Sequence, residues 1–134
     1  MNVVVDTSVW SLALRRSSNT GHPAVARLTA ALDEGRVVML GAIRQELLSG
    51  ISKPAQARVL RDRLRAFPDL LLETADYEDA ANCFNECRRR GIQGSNTDFL
   101  ICAASRRRRY SILSTDRDFQ RFAPVLGLVL DGAS

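Results

Sequence analysis

The sequence predicts an α/β protein, a three-layer α/β/α sandwich around a parallel sheet of four to five strands. Short apolar runs alternate along the chain with longer stretches of helical spacing, the pattern of parallel strands joined by right-handed crossovers. The first run, Val3–Val5, contains no alternating polar residue, which is typical of a strand covered on both faces. An apolar content of 46% supports one packed core, and no repeat or linker interrupts the sequence. Residues 1–134 are therefore predicted to form a single domain.

Proline and glycine mark the boundaries of the elements. Pro23 and Pro54 stand where the first turn of a helix tolerates proline, and Gly35 and Gly91 follow last turns. The predicted strands are residues 3–5, 37–40, 70–72, 111–114 and 128–130. The predicted helices are residues 8–15, 23–34, 42–48, 54–67, 74–90 and 99–109, with a short one after residue 119 and a polar loop at 16–21. The stretch 99–104 is apolar on all sides, which predicts a central, buried helix.

The charge and hydropathy of the chain suggest its surroundings. A formal charge of +4 and a pI near 9.5 favour a polyanionic partner. The basic residues are nearly all arginine, which contacts phosphate at two points. No apolar run approaches the ~20 residues that span a bilayer, and the amino terminus lacks a signal-peptide pattern. We therefore expect a cytoplasmic protein without membrane association.

The three cysteines and the single histidine do not predict a metal site. Cys83 and Cys87 lie one helical turn apart, a spacing that can bind metal, but the only histidine, His22, is distant in sequence. Buried reduced thiols are the favoured interpretation of these cysteines and of Cys102. His22 precedes Pro23 at a helix start, which suits a capping or surface residue.

Each notable acid has a simple local explanation. Asp6 follows a strand and precedes a helix, as an N-cap does. Asp98 has the spacing of a capping box. Glu46 can be a solvated helical glutamate, and Asp116 and Asp118 lie in a turn, where aspartate bonds to nearby backbone.

The joint positions of the acids indicate a metal site. Asp6 and Asp116 end strands, while Glu46 and Asp98 lie in helices that start from the same sheet edge, so the four carboxylates should converge. Gathered carboxylates repel one another unless a divalent cation compensates. An all-oxygen set suits Mg²⁺, with Mn²⁺ as the alternative. Such a site favours phosphoryl-transfer chemistry, because a bound ion activates water and stabilises the leaving oxygen.

Four segments, taken in order, resemble the motifs of a known family. They are V-V-V-D-T-S-V-W at Val3–Trp10, E-L-L-S-G at Glu46–Gly50, T-D-F-L-I-C-A-A at Thr97–Ala104 and L-S-T-D-R-D-F at Leu113–Phe119. Together they span nearly the whole chain. On these segments the sequence resembles the PIN-domain ribonucleases, and within them the VapC toxins of bacterial type II toxin–antitoxin pairs.

The resemblance implies a fold, an activity and partners. The fold would be a PIN-like sandwich with strand order 3-2-1-4-5. The activity would be Mg²⁺-dependent endoribonuclease cleavage of structured RNA, tRNA or rRNA, which inhibits translation. The partners would be a small VapB-like antitoxin whose tail enters the active site, the RNA substrate and a second copy in a homodimer.

The resemblance also implies roles for single residues. By motif position, the catalytic acids are Asp6, Glu46, Asp98 and Asp116. The three aspartates would hold one or two ions, and the glutamate would bridge to metal or position water, so that in-line hydrolysis leaves a 5′-phosphate and a 3′-hydroxyl. Asp118 is an alternative fourth acid. Thr7 or Ser8 could orient Asp6 or a metal-bound water.

Two further surfaces are candidates for binding. Arg88–Arg90 and Arg106–Arg109 could contact RNA phosphates, although positive charge at a helix end equally complements the helix dipole. An antitoxin helix could dock on apolar helix faces, which core packing also explains. The side chains concerned are Leu47, Leu48, Leu60 and Leu64.

Two other interpretations remain open at this level. One is a catalytically silent PIN-like module that binds RNA or a partner. The other is a phosphoacceptor domain of the receiver or dehalogenase type, with Asp6 as the phosphorylated residue. The second is disfavoured because Thr7 and Ser8 follow Asp6 without the further aspartate of the dehalogenase pattern, and the only lysine is Lys53.

Overall fold

Short parallel strands and longer helices alternate along the chain in the computed structural model, which describes residues 1–15 and 21–132. The elements are β1 (Val3–Val5), α1 (Thr7–Leu14), α2 (Pro23–Asp33), β2 (Val37–Val38), α3 (Gly41–Leu48), α4 (Pro54–Leu64), α5 (Thr74–Arg88), α6 (Asn96–Arg108), β3 (Ser111–Leu113), α7 (Asp118–Leu126) and β4 (Val129–Leu130). The loop predicted at 16–21 lies outside the described residues except for Gly21.

The sheet is parallel throughout and has the order β2-β1-β3-β4. Val4 pairs with Val38 on one side and with Ile112 on the other, and Ile112 pairs with Leu130. Because parallel strands need crossover connections, the helices cover both faces of the sheet. The predicted α/β class is therefore confirmed. Because β3 and β4 are the fourth and fifth predicted strands, the observed order agrees with the expected 3-2-1-4-5 apart from the third strand.

The third predicted strand, residues 70–72, is reduced to a single contact. Met39 and Asp69 form an isolated parallel bridge, and the Leu70 amide donates to the Met39 carbonyl at 2.8 Å. This contact lies on the β2 side of the sheet, where the predicted order places a strand. Leu70 and Leu72 pack against the core, whereas Leu71 between them is 86% exposed. The pairing with the sheet is limited to this one bridge.

The core surrounds β1 and α6. Val3–Val5 have no exposed surface, as expected for a strand covered on both faces. Phe99 and residues 101–105 of α6 are also buried, which confirms the predicted central helix. Among the described residues, no helix combines the length and the apolar character that crossing a membrane would require.

The three cysteines belong to this core as free thiols. Cys83 and Cys87 on α5 and Cys102 on α6 are buried. Burial raises the pKa of the Cys83 thiol to about 12, and it raises the pKa of Cys87 and Cys102 as well. The groups therefore stay protonated at neutral pH, which agrees with the interpretation as reduced structural thiols.

A buried ion pair joins α5 to α6. The N-cap of α5 is Glu73, the residue before the helix start at Thr74, and its amide donates to Asp76 Oδ2 at 2.8 Å. The Asp76 side chain has no exposed surface. It accepts two hydrogen bonds from Arg108, at 2.7 and 2.8 Å, and one from Arg107 at 2.8 Å.

Arg106, the next arginine of the same helix end, is paired in a similar way. It donates to both carboxylate oxygens of Asp79 at 2.8 and 2.9 Å and lies 3.6 Å from Glu86. Three of the four arginines predicted as RNA contacts at the end of α6 therefore neutralise acids of α5. Sequence reasoning missed Asp76 because its partners lie 31 and 32 residues away.

We predict that Asp76→Asn lowers the free energy of unfolding by about 3 kcal/mol, since it leaves Arg107 and Arg108 beside a neutral amide. Urea denaturation at neutral pH measures this loss. Asp62→Asn is the matched control, because Asp62 is 62% exposed and its ion pairs lie on the surface. That change should stay within about 0.5 kcal/mol.

The same pair predicts a pH dependence. The Arg108 hydrogen bonds hold the pKa of Asp76 far below its ordinary value, against the opposing effect of burial. A carboxyl whose pKa is lowered by folding contributes stability above its unfolded pKa of about 3.9 and loses it as the pH falls towards the folded value. The stability difference between the wild type and Asp76→Asn should therefore shrink below about pH 4. An equal difference at neutral and acid pH would contradict this assignment.

Candidate active site

One cavity of about 610 Å³ lies at the carboxyl edge of the sheet and gathers all four predicted acids. Its acidic lining residues are Asp6, Glu46, Asp98 and Asp116. They come from the end of β1, from α3, from the first turn of α6 and from the turn after β3. Thr7 and Ser8, predicted as auxiliary residues, line the same cavity.

Asp6 reaches the cavity because β1 lies beside β3 in parallel register. Val5 pairs with Leu113, and the Asp6 amide donates to the Leu113 carbonyl at 2.9 Å. The next residue of each strand, Asp6 and Ser114, therefore leaves the sheet at the same edge. Asp6 is only 6% exposed, so its carboxylate is largely removed from bulk water.

The Asp6 carboxylate lines the cavity and does not cap α1. Asp6 occupies the N-cap position, but its side chain makes no capping hydrogen bond. Its Oδ2 instead accepts hydrogen bonds from Ser8 Oγ at 2.8 Å and from Ser114 Oγ at 2.7 Å. The hydroxyls orient the carboxylate, while no described residue donates to its Oδ1.

Ser8 and Ser114 also connect Asp6 to Asp116. Their hydroxyl oxygens are 3.3 Å apart, and the Ser114 hydroxyl accepts a hydrogen bond from the Asp116 amide at 2.9 Å. The Ser8 hydroxyl accepts one from the Thr115 amide at 3.1 Å. Sequence reasoning missed Ser114, although its position at the end of a strand next to β1 was a signal for it.

Glu46 is held by a hydroxyl from another helix. Thr7 Oγ1 donates to Glu46 Oε1 at 2.7 Å, which ties the first turn of α1 to α3. Glu46 itself is exposed. The contact therefore fixes one carboxylate oxygen at the cavity wall and leaves the side chain open to solvent.

Asp98 combines a helix cap with a place at the site. It forms the predicted capping box, since its Oδ2 accepts from the Ser95 amide and its own amide donates to Ser95 Oγ, both at 3.0 Å. Burial raises the pKa of Asp98, and the negative charges of Asp6 and Asp116 raise it further, while the Ser95 hydrogen bonds act in the opposite direction. The acids are therefore close enough to repel one another.

Asp116 has the better position of the two competing aspartates. Asp116 lines the cavity, whereas the cavity lining does not include Asp118. The Asp118 carboxylate pairs with Arg121 at 2.9 Å, and its amide donates to Asp116 Oδ1 at 2.9 Å. The turn thus uses Asp118 as the first residue of α7 and presents Asp116 to the site.

The donor chemistry of the cavity fits a hard divalent cation. Its charged lining is entirely carboxylate, and its other polar groups include hydroxyls and an amide, which are ligands of the Mg²⁺ class. Across residues 1–15 and 21–132, no three acidic, histidine or cysteine side chains form a ready-made metal cluster. The carboxylates would have to move closer together to share an ion, which their mutual repulsion opposes until a cation neutralises it.

Comparison with known proteins gives a family and a fold. Curated proteins contain no significant match to this sequence. The structure is similar to that of FitAcB from Neisseria gonorrhoeae, with a TM-score of 0.73, 18% identity and coverage of 96% of this chain and 95% of the other. It is equally similar to VapBC2 from Rickettsia felis bound to a promoter DNA fragment, with a TM-score of 0.73, 17% identity and full coverage of both chains. The sequence matches the family model of the PIN domain over residues 3–124, and the chain therefore belongs to the PIN domain family.

Proposed function

We propose that this protein is a Mg²⁺-dependent endoribonuclease that acts in the cytoplasm as the toxin of a toxin–antitoxin pair, cleaving structured RNA such as tRNA or rRNA. The observation that carries the proposal is the meeting of Asp6, Glu46, Asp98 and Asp116, from four separate elements, around one cavity. The rise in the pKa of Asp98 caused in part by two of the other acids supports it, because repelling carboxylates favour a bound cation.

In the proposed hydrolysis, the three aspartates bind the metal ion and the glutamate positions the attacking water. Asp6, Asp98 and Asp116 would hold Mg²⁺, with Mn²⁺ as a substitute. When bound, such an ion lowers the pKa of water and stabilises negative charge on phosphate oxygens. Glu46, fixed by Thr7, positions the attacking water in line with the scissile bond, so that the products carry a 5′-phosphate and a 3′-hydroxyl.

We predict that Asp6→Asn, Asp98→Asn and Asp116→Asn each reduce RNA cleavage at least about 100-fold, since each removes a charged ligand without changing side-chain size. Asp118→Asn should retain most of the activity, because Asp118 pairs with Arg121 outside the cavity. Cleavage of a labelled structured RNA in Mg²⁺ or in EDTA measures both effects. RNA binding by the wild type without Mg²⁺-dependent cleavage would favour the catalytically silent module.

We also predict that the pKa of Asp98 falls in Asp116→Asn and falls when Mg²⁺ is added to the wild type. The variant removes one of the negative charges that raise this pKa, and the cation offsets all of them. Carboxyl ¹³C NMR titration measures the value without any need for activity. Asp118→Asn is the control, and an Asp98 pKa that is equal in wild type and Asp116→Asn would contradict the proposed cluster.

An antitoxin is the proposed protein partner, since both structures named above carry toxin–antitoxin names of the FitAB and VapBC type. The docking surface would be an apolar groove of about 520 Å³ between α1 and α4, which we call the α1/α4 groove. Its apolar lining includes Leu14, Ile51, Val59 and Leu60. Two of the side chains predicted for this role, Leu47 and Leu64, are buried in the core of the protein itself. A homodimer of the toxin is part of the same proposal.

We predict that Val59→Asp weakens capture of the antitoxin roughly tenfold or more, because it places a charge in the apolar groove. Val59 is 60% exposed, so the change should leave folding and RNA cleavage by the free protein intact. Val129→Asp, at a 49% exposed valine of β4, is the matched control. Co-expression with the product of a short reading frame next to this gene, followed by co-purification, measures capture. Equal capture by both variants would place the antitoxin elsewhere.

A further inference from the structure

A second cavity, of about 350 Å³, adjoins the acidic one at the same sheet edge. Asp116 lines both, so the two cavities meet at this carboxylate. We call the second one the arginine cavity, after Arg27 of α2 and Arg117 in the turn before α7. The proposed chemistry at the acidic cavity assigns no role to either arginine.

The two arginines differ from those that hold the fold together. Arg44, Arg106 and Arg108 are bonded to acids or to backbone carbonyls. The side chains of Arg27 and Arg117 have no hydrogen-bond or ion-pair partner among the described residues, and both residues are exposed. Their guanidinium groups, each with five N–H donors, are thus available to a ligand.

The Arg27 side chain lies close to the backbone of Gly132 in the cavity wall. Gly132 has a φ of +80°, and a Cβ at this position would come within 2.5 Å of Arg27 Nε. The glycine therefore lets the arginine side chain lie directly on the backbone of the cavity lining. A larger residue at 132 would displace it.

The lining also contains two carboxylates, whose negative charge opposes the positive charge of the arginines. Its acids are Asp116 and Asp131. A cation bound at the acidic cavity would offset the first of these charges and leave the two arginines in excess. His22 Nδ1 accepts a hydrogen bond from the Ala24 amide at 3.0 Å, which leaves Nε2 as the ring nitrogen that can donate to a ligand.

We propose that the arginine cavity binds a backbone phosphate of the RNA substrate next to the scissile phosphate, through Arg27 and Arg117. The inference rests on the proposed ribonuclease function. It implies that the RNA strand runs from the four acids, past Asp116, to the two arginines. Guanidinium groups pair with phosphate in two-point contacts, and such contacts position a nucleic acid without reading its sequence. Arg27 and Arg117 are thus positioning residues.

The salt dependence of RNA binding tests this proposal. A fluorescein-labelled RNA hairpin is titrated with wild type, Arg27→Gln, Arg117→Gln and the double variant in EDTA, at several KCl concentrations. Let K be the association constant for the RNA. Each lost phosphate contact should make the negative slope of log K against log salt shallower by about 0.7 to 0.9, which corresponds to about tenfold weaker binding at 0.05 M salt. Arg58→Gln is the control and should keep the wild-type slope, because Arg58 is an exposed arginine of α4 whose side chain has no partner among the described residues.

Kinetics and stability separate this inference from the function on which it rests. If the RNA is cleaved, Arg27→Gln should raise KM with little change in kcat, as for lost binding contacts. Wild-type protein that binds RNA but does not cleave it would overturn the ribonuclease proposal, while the salt slopes still decide the phosphate site.

A double variant whose salt slope equals that of the wild type would overturn the phosphate site. In that event, weaker antitoxin capture would assign the arginines to the antitoxin, and a lower midpoint of thermal unfolding would assign Arg27 to packing on Gly132.

Discussion

The parallel pairing of β1 with β3 is the constraint on which the site depends. In this register Val5 lies opposite Leu113, so Asp6 and Ser114 leave the sheet side by side and share a 2.7 Å hydrogen bond. A shift of one residue would turn the side chains of one strand to the opposite face and separate this pair. The complete burial of Val3–Val5 holds the register, because a slip would have to repack both faces of the central strand.

The protein keeps a concentration of negative charge at this edge by pairing carboxylates with hydroxyl and amide donors. Asp6 accepts hydrogen bonds from two serine hydroxyls, Glu46 accepts one from the Thr7 hydroxyl, and Asp98 accepts one from the Ser95 amide. These neutral donors orient the acids without cancelling their charge, so the repulsion among them persists in the raised pKa of Asp98. Under the proposed function such a cluster would attract a cation, whereas arginine partners would have neutralised its charge.

The arginines show the opposite arrangement away from the cavity. At the end of α6, Arg106, Arg107 and Arg108 neutralise acids of α5 and join two helices of the core. Arg44 likewise binds Asp69, the carbonyl of Leu64 at the end of α4 and the carbonyl of Phe67 after it. The net positive charge of the chain is therefore a poor guide to nucleic-acid contacts by itself. In the proposed RNA contact, the arginines available to phosphate are those that internal acids leave unpaired.

The sequence alone determined the features that depend on neighbouring residues. These are the apolar run of β1, the buried character of α6, the Ser95–Asp98 capping box and the placement of the acids at the ends of strands. Each follows from backbone hydrogen bonding or side-chain spacing within one element, so a local pattern suffices. The strand order came from the family resemblance, because the segment order allows several arrangements of the same strands.

Only the tertiary structure decided which side chains meet across elements. Ser114 lies 108 residues after Asp6, Glu46 lies 39 after Thr7, and Asp76 lies 32 before Arg108. It also reduced the run at 70–72 to one bridge, and it favoured Asp116 over Asp118 at the cavity. A residue's own neighbours do not specify the register of a sheet or the packing of one helix on another, so only the folded chain shows that the Asp6 carboxylate lines the cavity and makes no capping hydrogen bond.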